Sequence, residues 1–155
     1  MIKNLRLLIV CVAIPLVLGL VSSLITGNSM EVFAEVNKPA LSPPAWLFPV
    51  VWTILYTLMG ISSYLILTSD KGGMKVQAIR LYNYQLIVNL LWPTFFFNLG
   101  WYFFSFLWLI LLWILVLLMI LKFKEISKLA AYLNIPYIIW LTFAGYLNLT
   151  IWLLN

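Results

Sequence analysis

Long apolar runs alternate with short charged segments along this chain of 155 residues. The first uncharged run covers residues 7–25 and the second covers residues 45–68. At a rise of about 1.5 Å per residue, a helix of either length crosses a bilayer core of about 30 Å. Lys3 and Arg6 before the first run also suit a signal peptide, but the run is longer than a signal core and no small-x-small cleavage motif follows it. We therefore expect a retained helix.

A third uncharged stretch, residues 81–121, is too long for one crossing. As a single helix it would extend roughly 60 Å, about twice the bilayer core. Asn98 and Gly100 favour a turn near its middle, so we expect a helical hairpin. Residues 135–155 are again uncharged. The pattern predicts a single membrane domain, residues 1–155, with five transmembrane helices at roughly 5–26, 45–68, 77–97, 101–122 and 129–153.

Composition leads to the same fold class. Because 65% of the residues are hydrophobic and 8% are charged, the chain cannot cover a soluble globule with polar surface. We therefore predict an all-α integral membrane protein. Histidine is absent and Cys11 is the single cysteine, which excludes the usual zinc clusters, histidine-dependent catalytic arrangements and an intrachain disulfide. We expect no metal site.

The basic residues predict an orientation. Only Lys38 lies in a connection on the side opposite the N-terminus. Eight lie on the N-terminal side: Lys3, Arg6, Lys71, Lys75, Arg80, Lys122, Lys124 and Lys128. The positive-inside rule then places the N-terminus in the cytoplasm and the C-terminus outside, in a bacterial cell membrane. Since these cations lie at helix ends, the net charge of +5 is not evidence for nucleic-acid binding.

The longest polar connection covers residues 27–44. Pro39, Pro43 and Pro44 prevent a regular helix there and stiffen the end of the loop where it meets the membrane. The loop is equally compatible with a lid over a site and with a plain connector.

The last predicted helix has a face that suits a flat ligand. Trp140, Ala144 and Asn148 recur every fourth residue, so they stack along one side of the helix. A small residue between an aromatic ring and an amide leaves space for a planar molecule.

Two other predicted helices have comparable faces. The second presents Trp52 and Tyr56, and the third presents an amide and aromatic series. That series is Gln85, Asn89, Trp92 and Phe96. Uncharged amides in a bilayer are costly unless paired, so the amides should face protein, water or a ligand. Hydrogen bonds that only join helices are an alternative that these residues leave open.

These motifs, taken together, resemble the TspO translocator protein family, which includes the peripheral-type benzodiazepine receptors. The resemblance covers nearly the whole chain in the family's order and spacing. It rests on Asn37-Lys38-Pro39, Ser42-Pro43-Pro44, Trp52-Thr53, Leu55-Tyr56, Met59-Gly60, Gln85-Leu86, Asn89, Trp92-Pro93, Phe95-Phe96-Phe97, Pro136-Tyr137, Trp140, Phe143-Ala144 and Leu147-Asn148.

The resemblance implies a five-helix bundle, commonly a homodimer in the lipid bilayer, with a pocket that opens toward the proline-rich loop. Such proteins bind porphyrins and related tetrapyrroles, and drugs of the isoquinoline or benzodiazepine type. Tryptophans that match Trp52 and Trp140 are implicated in light-dependent breakdown of bound porphyrin. The expected wall consists of Trp52, Tyr56, Asn89, Trp92, Phe96, Trp140 and Ala144, and helical spacing adds Asn148.

The chain departs from the family pattern at several positions. Leu41 replaces the tryptophan before the double proline, and Val32 replaces an aromatic residue, so we expect the loop to hold a macrocycle less firmly. No Lys or Arg follows Tyr146, so the cholesterol motif of animal members is missing.

Three function classes remain after this comparison. The favoured one is a receptor or regulator that binds tetrapyrroles and breaks them down as a side activity. We expect this breakdown to be photochemical, because no general acid/base pair lies in the helices. A transporter would need two access states, and a structural subunit would bind no ligand saturably. With no histidine as an axial ligand, an iron porphyrin would rely on Tyr, Met, Cys11 or no protein ligand. Metal-free porphyrin should therefore bind about as well as haem, as a ligand and not a tightly bound cofactor.

Overall fold

The computed structural model describes residues 4–155, which form helices and connections without a strand. This agrees with the predicted all-α class. The long helices run alternately up and down. The elements are α1 (Leu5–Thr26), α2 (Ser29–Glu35), α3 (Leu47–Leu67), α4 (Gly72–Pro93), a π-helical turn (Thr94–Asn98), α5 (Tyr102–Ile126), α6 (Lys128–Tyr132) and α7 (Ile135–Leu154).

Four segments in the described part of the chain are long and apolar enough to cross a membrane. They are α1, α3, α5 and the continuous stretch Lys128–Leu154, which contains α6 and α7. Helix α4 is also 22 residues long, but its first half includes Lys75, Gln77 and Arg80. It nevertheless packs against α1, α3 and α5 along the bundle.

A glycine sets the close approach of α1 to α3. A Cβ atom on Gly60 would lie 2.6 Å from the carbonyl oxygen of Cys11 and would also overlap the backbone of Val12. Only a residue without a side chain fits at this crossing. Toward the far end of α1, Gly19 lies directly against the ring of Tyr56, where a side chain would also collide.

The structure divides the last predicted helix. Residues 129–153 are not one helix, because α6 ends at Tyr132 and α7 starts after Asn134. Pro136, in the first turn of α7, has no N–H to continue the preceding helix. The fully buried Asn134 side chain donates hydrogen bonds to Ser62 Oγ at 2.7 Å and to the carbonyl of Ala130 at 2.9 Å, which holds the break against α3.

The third and fourth predicted helices also have different ends from those expected. Helix α4 begins at Gly72 instead of residue 77, and after Pro93 the backbone widens into the π-helical turn. Gly100 then reverses the chain with a left-handed φ of 63°. Helix α5 continues to Ile126, beyond the expected end at residue 122.

The connection after α1 contains a helix that the sequence prediction excluded. The prolines prevent helix only from Pro39 onward, so α2 forms in the segment before them. Phe33 on α2 is buried, and its ring centroid lies 4.9 Å from that of Phe48 on α3. Phe96 and Ile151 belong to the same apolar cluster. We call α2 the lid, because it covers this end of the bundle.

Two sets of hydrogen bonds hold the lid in place. Lys38 Nζ donates to the carbonyls of Phe33 at 2.6 Å and Ala34 at 2.9 Å, which lie at the end of the lid helix. Asn155, beyond the end of α7, accepts from the Asn37 backbone N–H at 3.1 Å and donates to the Asn37 carbonyl at 3.0 Å. The segment that follows the lid helix therefore bonds both to the carbonyls of the lid and to the residue at the end of α7.

Candidate ligand-binding site

A cavity of about 320 Å³ lies beneath the lid, between α1, α3, α4 and α7. This volume is at the lower end of the range of about 300–1,000 Å³ typical of small-molecule sites. Its lining is buried at Tyr56, Asn89 and Asn148 and exposed at Leu20 and Ser23 on α1 and at Met30 on the lid. The cavity is therefore closed toward the core and more open on the side of α1 and the lid.

Seven of the eight residues predicted from sequence line this cavity. They come from three different helices and from the π-helical turn, so the fold brings the three predicted faces together. The seven are Trp52, Tyr56, Asn89, Trp92, Phe96, Ala144 and Asn148.

Trp140 is not among the residues that line the cavity. Four residues advance an α-helix by about 40° beyond one full turn, so Trp140 and Asn148 differ by about 80° around α7. The half-buried Trp140 indole instead lies against Phe48, with ring centroids 5.8 Å apart, and Phe48 lines the cavity. Contact between Trp140 and a ligand stays a prediction.

A chain of buried hydrogen bonds forms the floor of the cavity. The Tyr56 hydroxyl donates to Asn89 Oδ1 at 2.8 Å, and Asn89 Nδ2 donates to the Tyr137 hydroxyl at 2.7 Å. Tyr137 in turn donates to Gln85 Oε1 at 2.8 Å. Gln85 and Tyr137 do not line the cavity, so they join α4 to α7. Asn89 both joins helices and faces the site.

A second polar cluster fixes the opposite wall. Trp92 Nε1 donates to Asn148 Oδ1 at 3.0 Å, and the Ser105 hydroxyl donates to the same oxygen at 3.1 Å. Asn148 Nδ2 donates to the carbonyl of Tyr102 at 2.8 Å. The Trp92 ring is thereby held in one orientation between α4, α5 and α7.

Two stacked aromatic pairs provide the apolar surfaces. Trp52 stacks on Tyr56, with ring centroids 5.4 Å apart and planes inclined by 29°. Trp92 stacks on Phe96 at 5.2 Å and 27°. Because each ring is supported by another, the walls present flat faces that suit a planar aromatic molecule.

The sequence prediction missed the contributions of α1 and the lid. Helix α1 lines the cavity with two leucines, a glycine and three hydroxyl residues. The hydroxyls of Ser22 and Thr26 inside an apolar run were visible in the sequence, and both are buried. They donate to backbone carbonyls, Ser22 to Leu90 and Thr26 to Ser22 itself. From the lid, Ser29, Met30 and Phe33 line the cavity as well.

The lining suits binding more than acid–base or metal chemistry. Of the residues that the structure describes, none that lines the cavity is charged. Within residues 4–155, no group of three or more His, Cys, Asp or Glu side chains is arranged to hold a metal ion. Cys11 is buried but does not line the cavity. The arrangement offers flat apolar surfaces with a few fixed amides and hydroxyls.

Fold and cavity together define a helical membrane protein with an aromatic-lined cavity inside the bundle. The family model described as "TspO/MBR family" matches residues 11–153. The chain belongs to the TspO/MBR family, which confirms the resemblance seen in its sequence motifs.

Curated relatives match between about four-fifths and nearly all of the chain. It is 36% identical to the "Tryptophan-rich protein TspO" of Chlorobaculum tepidum, over 99% of this chain and 98% of that protein. It is 36% identical to "Protein CrtK" of Rhodobacter capsulatus, over 79% of this chain and 78% of that protein. The human "Translocator protein" is 34% identical, over 84% of this chain and 79% of its own length. Membership in this family, with several long apolar helices, makes the chain an integral membrane protein.

Proposed function

We propose that this protein is a five-span membrane receptor that binds porphyrins, and smaller isoquinoline- or benzodiazepine-type molecules, in the cavity beneath the lid. The observation that supports this function best is the pair of stacked aromatic walls, Trp52 with Tyr56 and Trp92 with Phe96, on a floor of hydrogen-bonded amides. A porphyrin is a large planar π-system, and aromatic side chains contact such faces favourably.

Helix α4 is the fifth span in this proposal. Its 22 residues extend about 33 Å, the thickness of the bilayer core. Lys75 near its start donates to the carbonyls of Leu67 and Ser69 at the end of α3, while Trp92 near its end contacts Asn148 by the cavity. Helix α4 thus connects the two ends of the bundle.

Charge supports the proposed orientation. Lys71 donates to the carbonyl of Glu125, and Lys122 pairs with the Glu125 carboxylate at 3.1 Å, so basic residues of two connections meet at one end. The lid end has Lys38 as its one cation among the described residues, and its ammonium is bonded to backbone carbonyls. By the positive-inside rule, this distribution supports an orientation with the lid outside and the N-terminus in the cytoplasm.

Cavity size bears on the choice of ligand. A drug-sized aromatic molecule suits a volume of about 320 Å³, whereas a complete tetrapyrrole needs more space. The additional space would come from the lid, which is attached through Phe33, Lys38 and Asn37. In this proposal a porphyrin binds with displacement of the lid, and metal-free porphyrin binds about as well as haem because the described lining offers no nitrogen ligand to iron.

Light-dependent breakdown of bound porphyrin is a proposed side activity. Trp52 lines the cavity, so its indole is the better-placed electron donor to a photoexcited porphyrin. Trp140 lies behind Phe48 and is separated from the cavity by that ring. We therefore assign the larger contribution to Trp52 and a smaller one to Trp140.

Transport of the same ligands is the second candidate function. The lid over one end of the cavity would be one gate of an alternating-access cycle, but transport also needs a second exit. Flux of porphyrin into sealed vesicles that contain the protein distinguishes transport from binding. The family resemblance also supports a homodimer, which crosslinking in native membranes would test.

The test of binding is a titration of the detergent-purified protein with protoporphyrin in the dark, followed by tryptophan fluorescence. Wild type should show saturable quenching at about one ligand per chain, and Trp52→Phe should bind more weakly and bleach more slowly in light. Trp113→Phe is the matched control, because Trp113 donates to Thr142 away from the cavity. Quenching that is linear and equal in all three proteins would mean that porphyrin only dissolves in the micelle.

A further inference from the structure

Helix α4 carries polar residues on two different faces. Gln85 and Asn89 are buried among the other helices, whereas Gln77 and Arg80 are exposed on the outer face. Arg80 is the last charged residue before the uncharged stretch 81–121, so it lies where the basic end of the bundle meets the apolar part of the helix. The outer face of α4 therefore presents a cation to the surroundings of the bundle.

The exposed guanidinium lacks an anion. None of residues 4–155 forms a hydrogen bond or an ion pair with the Arg80 side chain. Two lysines at the same end are bonded instead: Lys71 donates to the carbonyl of Glu125, and Lys75 donates to two carbonyls at the end of α3. Helix α4 contains no Asp or Glu. Because an unpaired charge beside hydrocarbon is costly, we expect an anion from outside the chain to pair with Arg80.

Arg80 belongs to a stripe along α4 that is polar at one end and apolar at the other. Its five members follow at spacings of three or four residues, lie within about 80° around the helix axis, and are all exposed. They are Gln77, Arg80, Tyr84, Ile87 and Leu91. From Arg80 to Leu91 the helix rises about 16 Å, roughly half of a bilayer core of about 30 Å. The stripe thus matches one phospholipid, with a headgroup level and then the length of an acyl chain in one leaflet.

The polar end of the stripe suits a phosphate group. A planar guanidinium donates two parallel hydrogen bonds to phosphate oxygens, which makes arginine a better phosphate ligand than a surface amide or hydroxyl. Side chains of a helix lean toward its N-terminus, so the Arg80 guanidinium leans toward Gln77 and toward the basic end of the bundle. The Gln77 amide adds neutral N–H donors at the same level.

A second copy of this chain is the competing occupant of the stripe. Two copies with the same orientation in the membrane and a two-fold axis along its normal bring the same residue of α4 to the same depth. The two Arg80 side chains would then approach each other beside hydrocarbon, and α4 supplies no acid to separate them. Lipid is the better match, because its phosphate supplies the charge that the helix lacks.

We propose that the outer face of α4 binds one anionic phospholipid of the cytoplasmic leaflet. The phosphate accepts from Arg80 and Gln77, and an acyl chain lies along Tyr84, Ile87 and Leu91. This inference uses α4 as the fifth span of the proposed function, and it does not depend on which ligand occupies the cavity. A homodimer then forms through a different face.

Native mass spectrometry of the full-length protein in detergent tests the lipid, because one spectrum counts bound lipids and copies of the chain. Phosphatidylglycerol is titrated into delipidated protein, and phosphatidylcholine with the same acyl chains and inorganic phosphate are the comparisons. Wild type should bind one phosphatidylglycerol per chain saturably, about fivefold or more tightly than phosphatidylcholine, and phosphate at the same concentration should not displace it. Equal affinity for the two lipids, or displacement by phosphate alone, would overturn the assignment.

Substitutions at one position test the proposed contact. Arg80→Gln removes the cation and should weaken phosphatidylglycerol binding about fivefold or more without affecting phosphatidylcholine. Arg80→Lys keeps the charge without the planar fork, so its loss should be smaller, and it carries the test if Arg80→Gln does not fold. Because Arg80 does not line the cavity, protoporphyrin titration should match wild type in both variants, which separates a failed lipid site from a failed cavity function.

Lys124→Gln is the matched control, because it removes an exposed cation from the last turn of α5 at the same end of the bundle. It should bind phosphatidylglycerol as wild type does. An equal loss in Lys124→Gln and Arg80→Gln would mean that the lipid is attracted only by the overall charge of this end. A dimer that dissociates in Arg80→Gln while phosphatidylglycerol binding is unchanged would assign the outer face of α4 to a second copy and overturn the inference.

Discussion

The Tyr56 hydroxyl on α3 donates a 2.8 Å hydrogen bond to the side-chain oxygen of Asn89 on α4, and both residues line the cavity. One bond therefore belongs both to the packing of the bundle and to the surface of the site. Asn89 can join helices and also contact a ligand. Its amide bonds Tyr137 through one N–H and keeps the other N–H free.

Removal of the Tyr56 hydroxyl should therefore destabilise the bundle. In Tyr56→Phe the buried Asn89 oxygen loses its donor, at a cost of about 1–2 kcal/mol in free energy of unfolding. Thermal unfolding in detergent measures this change. Tyr84→Phe on the exposed side of α4 is the control and should unfold like wild type. Equal melting temperatures for all three proteins would show that the bond adds nothing to stability.

Ala144 is the smallest of the α7 residues that line the cavity. Ala144→Leu extends a branched side chain into the space between the aromatic walls, and ligand affinity should fall on the order of tenfold while the helices stay folded. Titration with a drug-sized aromatic ligand and circular dichroism measure the two effects.

The neighbouring residue supplies a matched control for this experiment. A Cβ on Gly145 would lie 3.9 Å from the nearest side-chain atom, on Leu109, so Gly145→Ala fits without displacement. It should bind ligand as wild type does. Affinity that is unchanged in Ala144→Leu would move the site away from α7.

The crossing of α1 and α3 should tolerate no side chain at Gly60. In Gly60→Ala the new methyl group overlaps the backbone of Val12 and lies 2.6 Å from the Cys11 carbonyl oxygen, and a helix backbone cannot yield as a side chain can. We expect a loss of about 1–3 kcal/mol in stability and a wider separation of the two helices. Gly73→Ala, which meets nothing within 4 Å, is the comparison for thermal unfolding. A Gly60→Ala protein as stable as Gly73→Ala would contradict the observed packing.

The predictable part of the site is the part that helical periodicity determines. Residues three or four apart share a face, so the partners on α3, α4 and α7 were visible in the sequence before their helices were assembled. The same reasoning does not reach Trp140. Because an α-helix has 3.6 residues per turn, residues spaced by four rotate gradually around α7, and Trp140, eight residues before Asn148, does not line the cavity. Spacing alone does not say which part of a drifting face meets the ligand.

The other differences come from tertiary contacts. The break before α7 depends on the contact between Asn134 and Ser62, which are far apart in the sequence. The lid forms because Phe33 is buried against Phe48, so a short segment beside prolines becomes helical through packing and not through its own propensity. Likewise, the small residues Gly19 and Ser23 of α1 suit the close approach of another helix, but their spacing does not indicate that Gly19 faces Tyr56.

Ligand exchange should depend on the attachment of the lid to α7. The Asn155 side chain accepts from the Asn37 N–H at 3.1 Å and donates to the Asn37 carbonyl at 3.0 Å, and neither residue lines the cavity. In Asn155→Ala the lid opens more easily, so association and dissociation rates should rise together, by about three- to tenfold, while the equilibrium affinity changes little. Stopped-flow fluorescence with a drug-sized ligand measures both rates.

The control and the contrary outcome separate gating from ligand contact. Asn28→Ala alters an exposed asparagine in the same connection whose side chain makes no capping bond, and its rates should match wild type. Replacement of a residue that stabilises the bound ligand would raise only the dissociation rate, and the affinity would fall in proportion. Such a result for Asn155→Ala, or rates equal to wild type, would mean that the lid is not the barrier to exchange and that ligands enter by another route between the helices.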